Sequence, residues 1–360
     1  MRILHTADWH VGRTIRGRSR ADEHGEVLAE IVAVAAAEQV DLVLVAGDVF
    51  DTAAPSPEAE RIVYAMLLDL VATGAEVVVV AGNHDSAPRL EAVAPLLATN
   101  RIHVGARPVP PEAGGVLELD IDSGERARIA LLPFVSQRGI VRAVDLMTTD
   151  ADQHAQAYAA RVQTVIERLT DGFTDEAVNL VVSHLMVSGG EVGGSERTAH
   201  TIFDYCVPAT VFPSTAHYVA LGHLHRPQRM AAACPVWYAG SPLQLDFGEE
   251  DDDKAVLLVD ATPGAPAEVR QHRLTGGRRL RTLRGTLDEL AARKDEAAAD
   301  HLRVIVRGQA RAGLAEQVRE WFPTAVDVAV EAGADRDGRA APPRRLRRSP
   351  RALFGEYLQE

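Results

Sequence analysis

Six short, mostly apolar runs recur along the first two thirds of the chain, and none of them alternates regularly between apolar and polar residues. Runs of this kind are typical of strands that are buried on both faces of a sheet. Turn-forming or polar residues bound each run, which predicts six separate strands. The six runs are RILHTAD (2–8), DLVLVAGD (41–48), EVVVVAGNHD (76–85), ARIALLPF (127–134), VNLVVSHL (178–185) and HYVALGHLH (217–225).

The segments between the first three runs have a different period. Apolar residues recur every three or four positions in EHGEVLAEIVAVAAAEQ (23–39) and in SPEAERIVYAMLLDLVAT (56–73), a spacing that predicts amphipathic helices. Strands that alternate with helices in this way form βαβ crossovers and a layered core. The pattern therefore predicts the α/β class for this part of the chain.

The pattern of predicted strands and helices changes near residue 265. ATPGAP (261–266) is a hinge candidate because it is rich in proline and glycine, and it is followed by a short alternation of strand and helix patterns. The C-terminal segment SPRALFGEYLQE (349–360) begins with Ser349-Pro350, which is a typical start of a helix. The predicted parts are a first domain over 1–265, a small α+β domain over 266–334, a basic Pro/Arg-rich linker over 335–348 and a C-terminal helix over 349–360.

Composition narrows the class of protein without identifying it. Hydrophobic residues make up 46% and charged residues 25% of the chain, which are ordinary values for a globular protein. No apolar run reaches the ~20 residues of a membrane helix, and Asp8 and His10 lie where a signal peptide needs apolar residues. Two cysteines are too few for a disulfide framework. We therefore expect a cytoplasmic protein that does not associate with membranes.

The formal net charge of −13 excludes a surface that binds nucleic acid everywhere, although it leaves room for local contacts. The charge is unevenly distributed. Basic residues concentrate in residues 2–20, and residues 336–351 contain seven arginines and one acid. The acidic run GEEDDDK (248–254) is interpreted as a solvated loop.

Polar side chains able to bind metal follow five of the six apolar runs. In open α/β folds the carboxyl ends of the strands form one crevice, so residues far apart in sequence can meet there. Glycines 47, 82 and 222 precede several of these residues and allow the backbone to turn tightly. The residues are Asp8, His10, Asp48, Asn83, His84, Asp85, His184, His223 and His225.

The series DWH, GDVFD, GNHD, SH and GHLH resembles the motifs of the calcineurin-like metallophosphoesterase superfamily. The flanking words MRILHTADWHVG, GDVFDTAAPSP, GNHDSAPRL, SGGEVGGSER, ALGHLHRPQ and YAGSPLQLDFGEEDDDK narrow the resemblance to the SbcD family of bacterial nuclease subunits. The similarity extends to about residue 260 and is weaker beyond it. It implies a layered metallophosphoesterase sandwich, a small α+β capping domain and a C-terminal helix.

The resemblance also implies a set of metal ligands. Two divalent metal ions per chain, most simply Mn²⁺, would suit this mixture of carboxylate, imidazole and amide donors. One ion would be bound by Asp8, His10 and His225, and the other by Asn83, His184 and His223. Asp48 would bridge the two ions, because an anion between two close cations reduces their repulsion.

Four further residues are assigned with the help of the resemblance. His84 matches the histidine that faces the leaving group, and such a histidine needs an acceptor to orient it. Asp51 matches the position that supplies this acceptor, with Asp85 as the alternative, although Asp85 could equally cap the next turn. Arg13 and Arg16 lie in the basic loop after the first ligand pair and are candidate contacts for DNA phosphates.

The implied function is a two-metal DNA nuclease with exonuclease and endonuclease activity. It would act with the SMC-like ATPase SbcC in processing double-strand breaks and hairpins, and it would form a homodimer. The apolar stripe of the C-terminal helix, Leu353, Phe354, Tyr357 and Leu358, would dock on SbcC. The alternatives are a stand-alone metallophosphoesterase acting on a nucleotide or phosphoprotein, and a non-enzymatic scaffold.

Overall fold

The computed structural model describes residues 1–121, 124–135, 151–193, 206–294, 296 and 299–331, and for residues 151–157 it describes the helix without the side chains. The chain divides into two compact units. The first contains residues 1–281 and 299–301, and the second contains residues 282–298 and those from 302 onward. The predicted linker (335–348) and the predicted C-terminal helix (349–360) lie outside the described residues.

Within the described residues, the first unit contains strands, four longer helices and short 3₁₀ turns. Its strands are β1 (Arg2–Thr6), β2 (Thr14–Ile15), β3 (Arg18–Ser19), β4 (Leu42–Val45), β5 (Glu76–Val80), β6 (Ile102–Gly105), β7 (Val116–Asp120), β8 (Arg126–Leu132), β9 (Val178–His184), β10 (Met186–Val187), β11 (Cys206–Val207), β12 (Tyr218–Gly222), β13 (Gln228–Met230), β14 (Val236–Tyr238), β15 (Ala255–Asp260) and β16 (Glu268–Arg273). Its helices are α1 (Ala21–Ala37), α2 (Pro57–Ala72), α3 (Ala87–Ala98) and α4 (Ala151–Thr170).

Two six-stranded sheets form the body of this unit. The first has the order β16-β15-β1-β4-β5-β6, in which β1, β4, β5 and β6 are parallel. The second has the order β13-β14-β12-β9-β8-β7, in which β14, β12, β9 and β8 are parallel. The four parallel strands of each sheet place their carboxyl ends along one edge, as the βαβ pattern predicted.

The apolar runs lack alternation because both faces of each sheet are covered. Along β4, Val43 and Val45 pack in the cluster that includes the side chains of α1 and α2. Leu42 and Leu44 point the other way and pack in one cluster with Leu180 of the second sheet. The two sheets therefore pack face to face with helices outside them, which confirms the predicted layered α/β sandwich.

The segment ATPGAP, predicted as a hinge, connects two antiparallel neighbours of the first sheet. β15 and β16 pair from Ala255 with Arg273 to Asp260 with Glu268, so the segment between them closes a hairpin. Residues 266–281 consequently belong to the first unit. The compact boundary lies near residue 281 and not at residue 265, since backbone pairing in the sheet outweighs the local Pro/Gly composition.

The second unit has its own small core. Its elements are β17 (Leu280–Gly285) from residue 282 on, α5 (Leu287–Ala291), β18 (His301–Arg307) from residue 302 on, α6 (Leu314–Trp321) and β19 (Ala325–Glu331). The strands form a sheet in the order β17-β18-β19. Leu290 of α5 and Val318 of α6 pack with Val304 of β18. Helix α5 starts with a capping box between Thr286 and Glu289. The small domain predicted over 266–334 overlaps this unit only from residue 282 onward.

Candidate metal centre

The carboxyl ends of five parallel strands converge at one crevice of the first unit. Asp8 and His10 follow β1, Asp48 follows β4, and Asn83 and His84 follow β5. The second sheet contributes His184, the last residue of β9, together with His223 and His225 after β12. All of these side chains are buried except Asn83, which is half-buried. The structure therefore brings together the seven predicted metal ligands and His84.

Asp8, His10 and His225 form one group, whose ligand atoms lie within 4.8 Å of one another. Nε2 of His10 lies 3.2 Å from Nε2 of His225. The Nδ1 atoms of both rings face carboxylates, His10 towards Asp51 at 3.3 Å and His225 towards Glu249 at 3.1 Å. A carboxylate favours a hydrogen on the nitrogen that faces it, so the two Nε2 atoms present lone pairs to each other. A bound cation would remove that repulsion, and the group fits a metal ion.

Asn83, His184 and His223 form the second group. Nε2 of His184 lies 2.9 Å from Oδ1 of Asn83, and Nδ1 of His223 lies 2.8 Å from the same oxygen. His184 donates from Nδ1 to the carbonyl oxygen of Ala46 at 2.8 Å. Because that carbonyl can only accept, Nε2 of His184 carries the lone pair. Its lone pair and the amide oxygen therefore face one point, as ligands of a shared cation do.

Asp48 lies between the two groups. Its Oδ2 atom is 3.6 Å from Nε2 of His10 and 3.5 Å from Nε2 of His184. Its Oδ1 atom accepts a hydrogen bond of 2.7 Å from the backbone N–H of His84. The carboxylate is thus fixed with one oxygen near a member of each group. This position suits the bridge predicted for Asp48, and the imidazole, carboxylate and amide donors suit borderline-hard divalent ions.

The backbone is strained at the ligands themselves. Asp8, His10, Asp48 and His223 have positive φ angles of 52°, 46°, 52° and 108°. A positive φ costs a residue with a Cβ about 1–2 kcal/mol, and such strain concentrates at functional sites. The neighbouring Gly82 allows a close approach, since a Cβ there would lie 2.1 Å from Oδ1 of Asp48. The fold therefore gives up some stability to aim these side chains into the crevice.

His84 is oriented by the main chain. Its Nδ1 atom donates a hydrogen bond of 2.7 Å to the backbone carbonyl oxygen of Asp51. Asp51 therefore supplies the acceptor through its carbonyl group and not through its side chain. The carboxylate of Asp85, the predicted alternative, accepts from the backbone N–H groups of Val49, Phe50 and Gly82 at 3.3, 3.0 and 2.8 Å. Asp85 is therefore a capping residue of this turn, the other role considered for it.

The side chain of Asp51 has a different function. Oδ1 lies 3.3 Å from Nδ1 of His10 and 3.2 Å from the guanidinium group of Arg13. Burial alone would raise the pKa of Asp51, but the close contact with Nδ1 of His10 and the charge of Arg13 lower it to about 2. The ionised carboxylate holds the ring of His10 in place, as outer carboxylates do for metal-binding histidines.

The two arginines proposed as DNA contacts lie at and before the tip of a hairpin. Strands β2 and β3 pair through a turn in which Arg16 has φ 50° and Gly17 has φ 82°, the signature of a type I′ turn. Arg16 is exposed, and Arg13 is half-buried beside Asp51. Trp9 is completely buried, donates to Oγ1 of Thr6 and packs in the core cluster with Val11 and Val49.

Three histidines outside the proposed ligand set, His5, His103 and His217, make contacts with other parts of the fold. His5 is buried, and its Nδ1 atom lies 2.8 Å from the hydroxyl of Tyr218. Burial lowers the pKa of His5 to about 3 and keeps it neutral. His103 lies 2.8 Å from a carboxylate oxygen of Glu76, and His217 accepts from the backbone N–H of Asn179. His200 lies outside the described residues.

The interpretation of residues 248–254 as a solvated loop is wrong for three of its seven residues. Glu249 is completely buried, and Asp252 and Lys254 are almost completely buried. Burial alone would raise the pKa of Glu249, but the charge of Lys254 and the hydrogen bond from His225 hold it well below its usual range. A signal was present in LQLDF (243–247), because apolar residues that alternate up to the acidic run show that the chain is packed there.

Phe134 was also missed, since the run that ends there has no metal-binding residue. It stacks on the ring of His223 at an interplanar angle of 19° and a centroid distance of 6.4 Å. It meets the ring of His184 edge-on at 6.3 Å. Phe134, two residues after β8, therefore forms an apolar wall against two proposed ligands.

Comparison with known proteins identifies what this chain is similar to. The sequence pattern of the family described as calcineurin-like phosphoesterase matches residues 1–227. The SbcD subunit of the nuclease SbcCD of Bacillus subtilis is 38% identical over 283 residues, covering 78% of this chain and 71% of that protein. The protein of the same name from Escherichia coli K12 is 31% identical over 303 residues, covering 82% and 74%.

Among solved structures, a dimetal phosphatase from Danio rerio resembles the chain with a TM-score of 0.45 and 14% identity, covering 75% of this chain and 98% of that one. Within the described residues, no helix has both the length and the apolar character to cross a membrane.

Proposed function

The chain belongs to the SbcD family of calcineurin-like phosphoesterases and is a metal-dependent phosphodiesterase; on this premise we propose that it is a two-metal DNA nuclease. In this proposal Asp8, His10 and His225 bind one Mn²⁺ ion, and Asn83, His184 and His223 bind the other. Asp48 bridges the two. The activity is proposed to be exonucleolytic on double-stranded DNA and endonucleolytic on single strands.

The observation that carries the proposal is the position of Asp48. One carboxylate oxygen lies 3.6 and 3.5 Å from the Nε2 atoms of His10 and His184, which come from different sheets. Two cations held close together need an anion between them. A carboxylate buried between two sets of lone pairs is costly unless positive charge is bound beside it.

Two divalent ions held by these residues would supply neutralisation of the phosphate charge and activation of a water for in-line attack. The chain's own groups supply the rest of the chemistry. His84 is held by its Nδ1–H bond to the carbonyl of Asp51, which leaves Nε2 directed away from that anchor. From there, a protonated His84 can donate to the departing oxygen of the phosphodiester. Asp51 keeps His10 oriented while this happens.

Arg13 and Arg16 are proposed to contact phosphates on the DNA backbone, which would position a substrate without reading its sequence. The exposed type I′ hairpin that holds Arg16 suits this role. The name of the relatives assigns them to the nuclease SbcCD, which supports the further proposal that the chain works with an SbcC ATPase in processing DNA breaks and hairpins. We also propose that it does so as a homodimer.

The experiment is a nuclease assay on the purified full-length chain with linear double-stranded DNA, a single-stranded circle and a chromogenic phosphodiester as parallel substrates. EDTA should abolish cleavage, and Mn²⁺ should restore it better than Mg²⁺. Elemental analysis should give two metal ions per chain. Hydrolysis of the chromogenic substrate without cleavage of either DNA would instead favour a stand-alone phosphoesterase acting on a small substrate.

A further inference from the structure

Two buried residues of the acidic run, Glu249 and Lys254, contact His225. The carboxylate of Glu249 accepts from Nδ1 of the His225 ring at 3.1 Å. Lys254 donates from Nζ to the backbone carbonyl oxygen of the same histidine at 3.0 Å. The ring and the main chain of His225 are therefore both held by one segment, which follows it by more than twenty residues.

Glu249 is itself held in a fixed position. Its Oε2 atom accepts from Nζ of Lys254 at 2.7 Å and from the backbone N–H of Leu245 at 3.0 Å. Lys254 also donates to the hydroxyl of Ser241 at 3.0 Å. These anchors direct the other oxygen, Oε1, towards His225. The side chain of Glu249 has no exposed surface, and that of Lys254 is only 6% exposed.

Packing alone does not account for this pair of charges. Replacing a buried ion pair with apolar residues of similar volume is often neutral or stabilising, so such a pair is weak evidence of a role in stability. Here the pair is aimed at one histidine, and the other ring nitrogen of that histidine faces Nε2 of His10 at 3.2 Å. The ion pair of Glu249 and Lys254 therefore orients one ring, and so sets the direction of the lone pair on Nε2 of His225.

We propose that Glu249 and Lys254 are positioning residues for the metal centre, acting through His225. The inference rests on the two-metal site proposed above and adds residues that do not touch a metal. Glu249 keeps the hydrogen of His225 on Nδ1, so that Nε2 presents its lone pair to the ion. The carboxylate also makes the imidazole more basic and therefore a stronger metal ligand. Lys254 balances the charge of Glu249 and anchors the main chain of His225.

The test measures metal binding and does not depend on turnover. The full-length chain is stripped with EDTA and titrated with MnCl₂ by isothermal calorimetry, with elemental analysis of the end point. Glu249→Gln should lower the affinity for one of the two Mn²⁺ ions by about tenfold to a hundredfold, which is the usual effect of losing a residue that hydrogen-bonds to a metal ligand. The affinity for the second ion should change by less than about twofold, since its ligands have other partners.

Two further variants keep the test decisive. The double variant Glu249→Leu with Lys254→Met removes both charges and should fold, because no unpaired buried charge remains. It should show the same selective loss of one ion. Asp251→Asn removes one charge from the exposed part of the same run and should bind both ions as the wild type does.

The possible failures are distinguishable. Wild-type chain that binds fewer than two Mn²⁺ ions would contradict the proposed two-metal site. Wild type with two ions, together with a double variant that binds both with unchanged affinity, would overturn the positioning role alone. An equal loss of affinity for both ions, together with a lower unfolding temperature of the metal-free variant, would also overturn the positioning role. The pair would then only stabilise the fold.

Discussion

The carbonyl oxygen of Asp51 accepts a hydrogen bond from Nδ1 of His84, while the carboxylate of the same residue faces Nδ1 of His10. One residue therefore orients two histidines with different proposed roles. The main-chain contact does not depend on the side chain, so substitution of Asp51 should disturb His10 far more than His84. The orientation of His10 can therefore be perturbed separately from that of His84.

For the bridge, Asp48→Asn should remove cleavage and sharply reduce bound Mn²⁺, because an amide cannot neutralise the repulsion between two cations. Elemental analysis of dialysed protein measures the metal directly. Asp120, an exposed carboxylate of β7, provides the control, and Asp120→Asn should keep full metal content. Two ions per chain in Asp48→Asn would exclude the bridging role.

For the leaving group, His84→Ala should keep both metal ions and bind DNA normally, since His84 is not a proposed ligand. Its turnover should fall by roughly a hundredfold or more, the scale of losing an acid or charge-stabilising group. Single-turnover cleavage measured beside a metal assay separates the two effects. Loss of metal from this variant would instead make His84 a ligand.

For the close approach of the two turns, Gly82→Ala should disrupt the site, because the new Cβ would lie 2.1 Å from Oδ1 and 2.3 Å from the backbone nitrogen of Asp48. The matched control is Gly25→Ala inside α1, where a Cβ meets nothing within 4 Å. The control should stabilise the protein by up to about 1 kcal/mol, the helix-propensity difference. Thermal unfolding and Mn²⁺ content check both variants, and normal metal binding by Gly82→Ala would contradict the geometry.

The acid stability of the first unit should depend on Glu23. Burial alone would raise the pKa of Glu23, but hydrogen bonds from His301 and Arg20 lower it from 4.5 to about 2. Its stabilising effect is therefore complete above the unfolded value of 4.5 and is lost as the pH falls through 2. Glu23→Gln should flatten the fall in unfolding free energy over this window, as urea titrations at several pH values would measure. Exposed Glu26 on the same helix gives the control, and an unchanged slope in Glu23→Gln would contradict the assignment.

For the partner, deletion of residues 345–360 should abolish stable co-purification with SbcC and leave Mn²⁺-dependent nuclease activity of the isolated chain largely intact. The reason is the predicted amphipathic stripe in that segment and the position of every proposed ligand before residue 226. Co-purification at two salt concentrations measures the first part. Wild-type binding by the truncated chain would show that the contact lies elsewhere.

The strands, the main helices and the crevice could be predicted from the sequence because each follows a local rule. A strand buried on both faces reads as a continuous apolar run, and a metal-binding residue at its carboxyl end follows within a few positions. Asp8, Asp48 and His184 were found in this way. Their division between two ions came from the family resemblance, since spacing along the chain says nothing of which strand ends are neighbours.

The tertiary structure decided the contacts that no local pattern contains. Nε2 of His10 meets Nε2 of His225 across 215 residues, and Glu249 is aimed at His225 only because two hydrogen bonds fix its other oxygen. Composition suggested a solvated acidic loop there, and packing against the site buried three of its seven residues. The sequence by itself determined which residues reach the crevice, because backbone periodicity and strand direction are local. Only the fold decided how each is oriented, because orientation depends on strained turns and on partners from the opposite sheet.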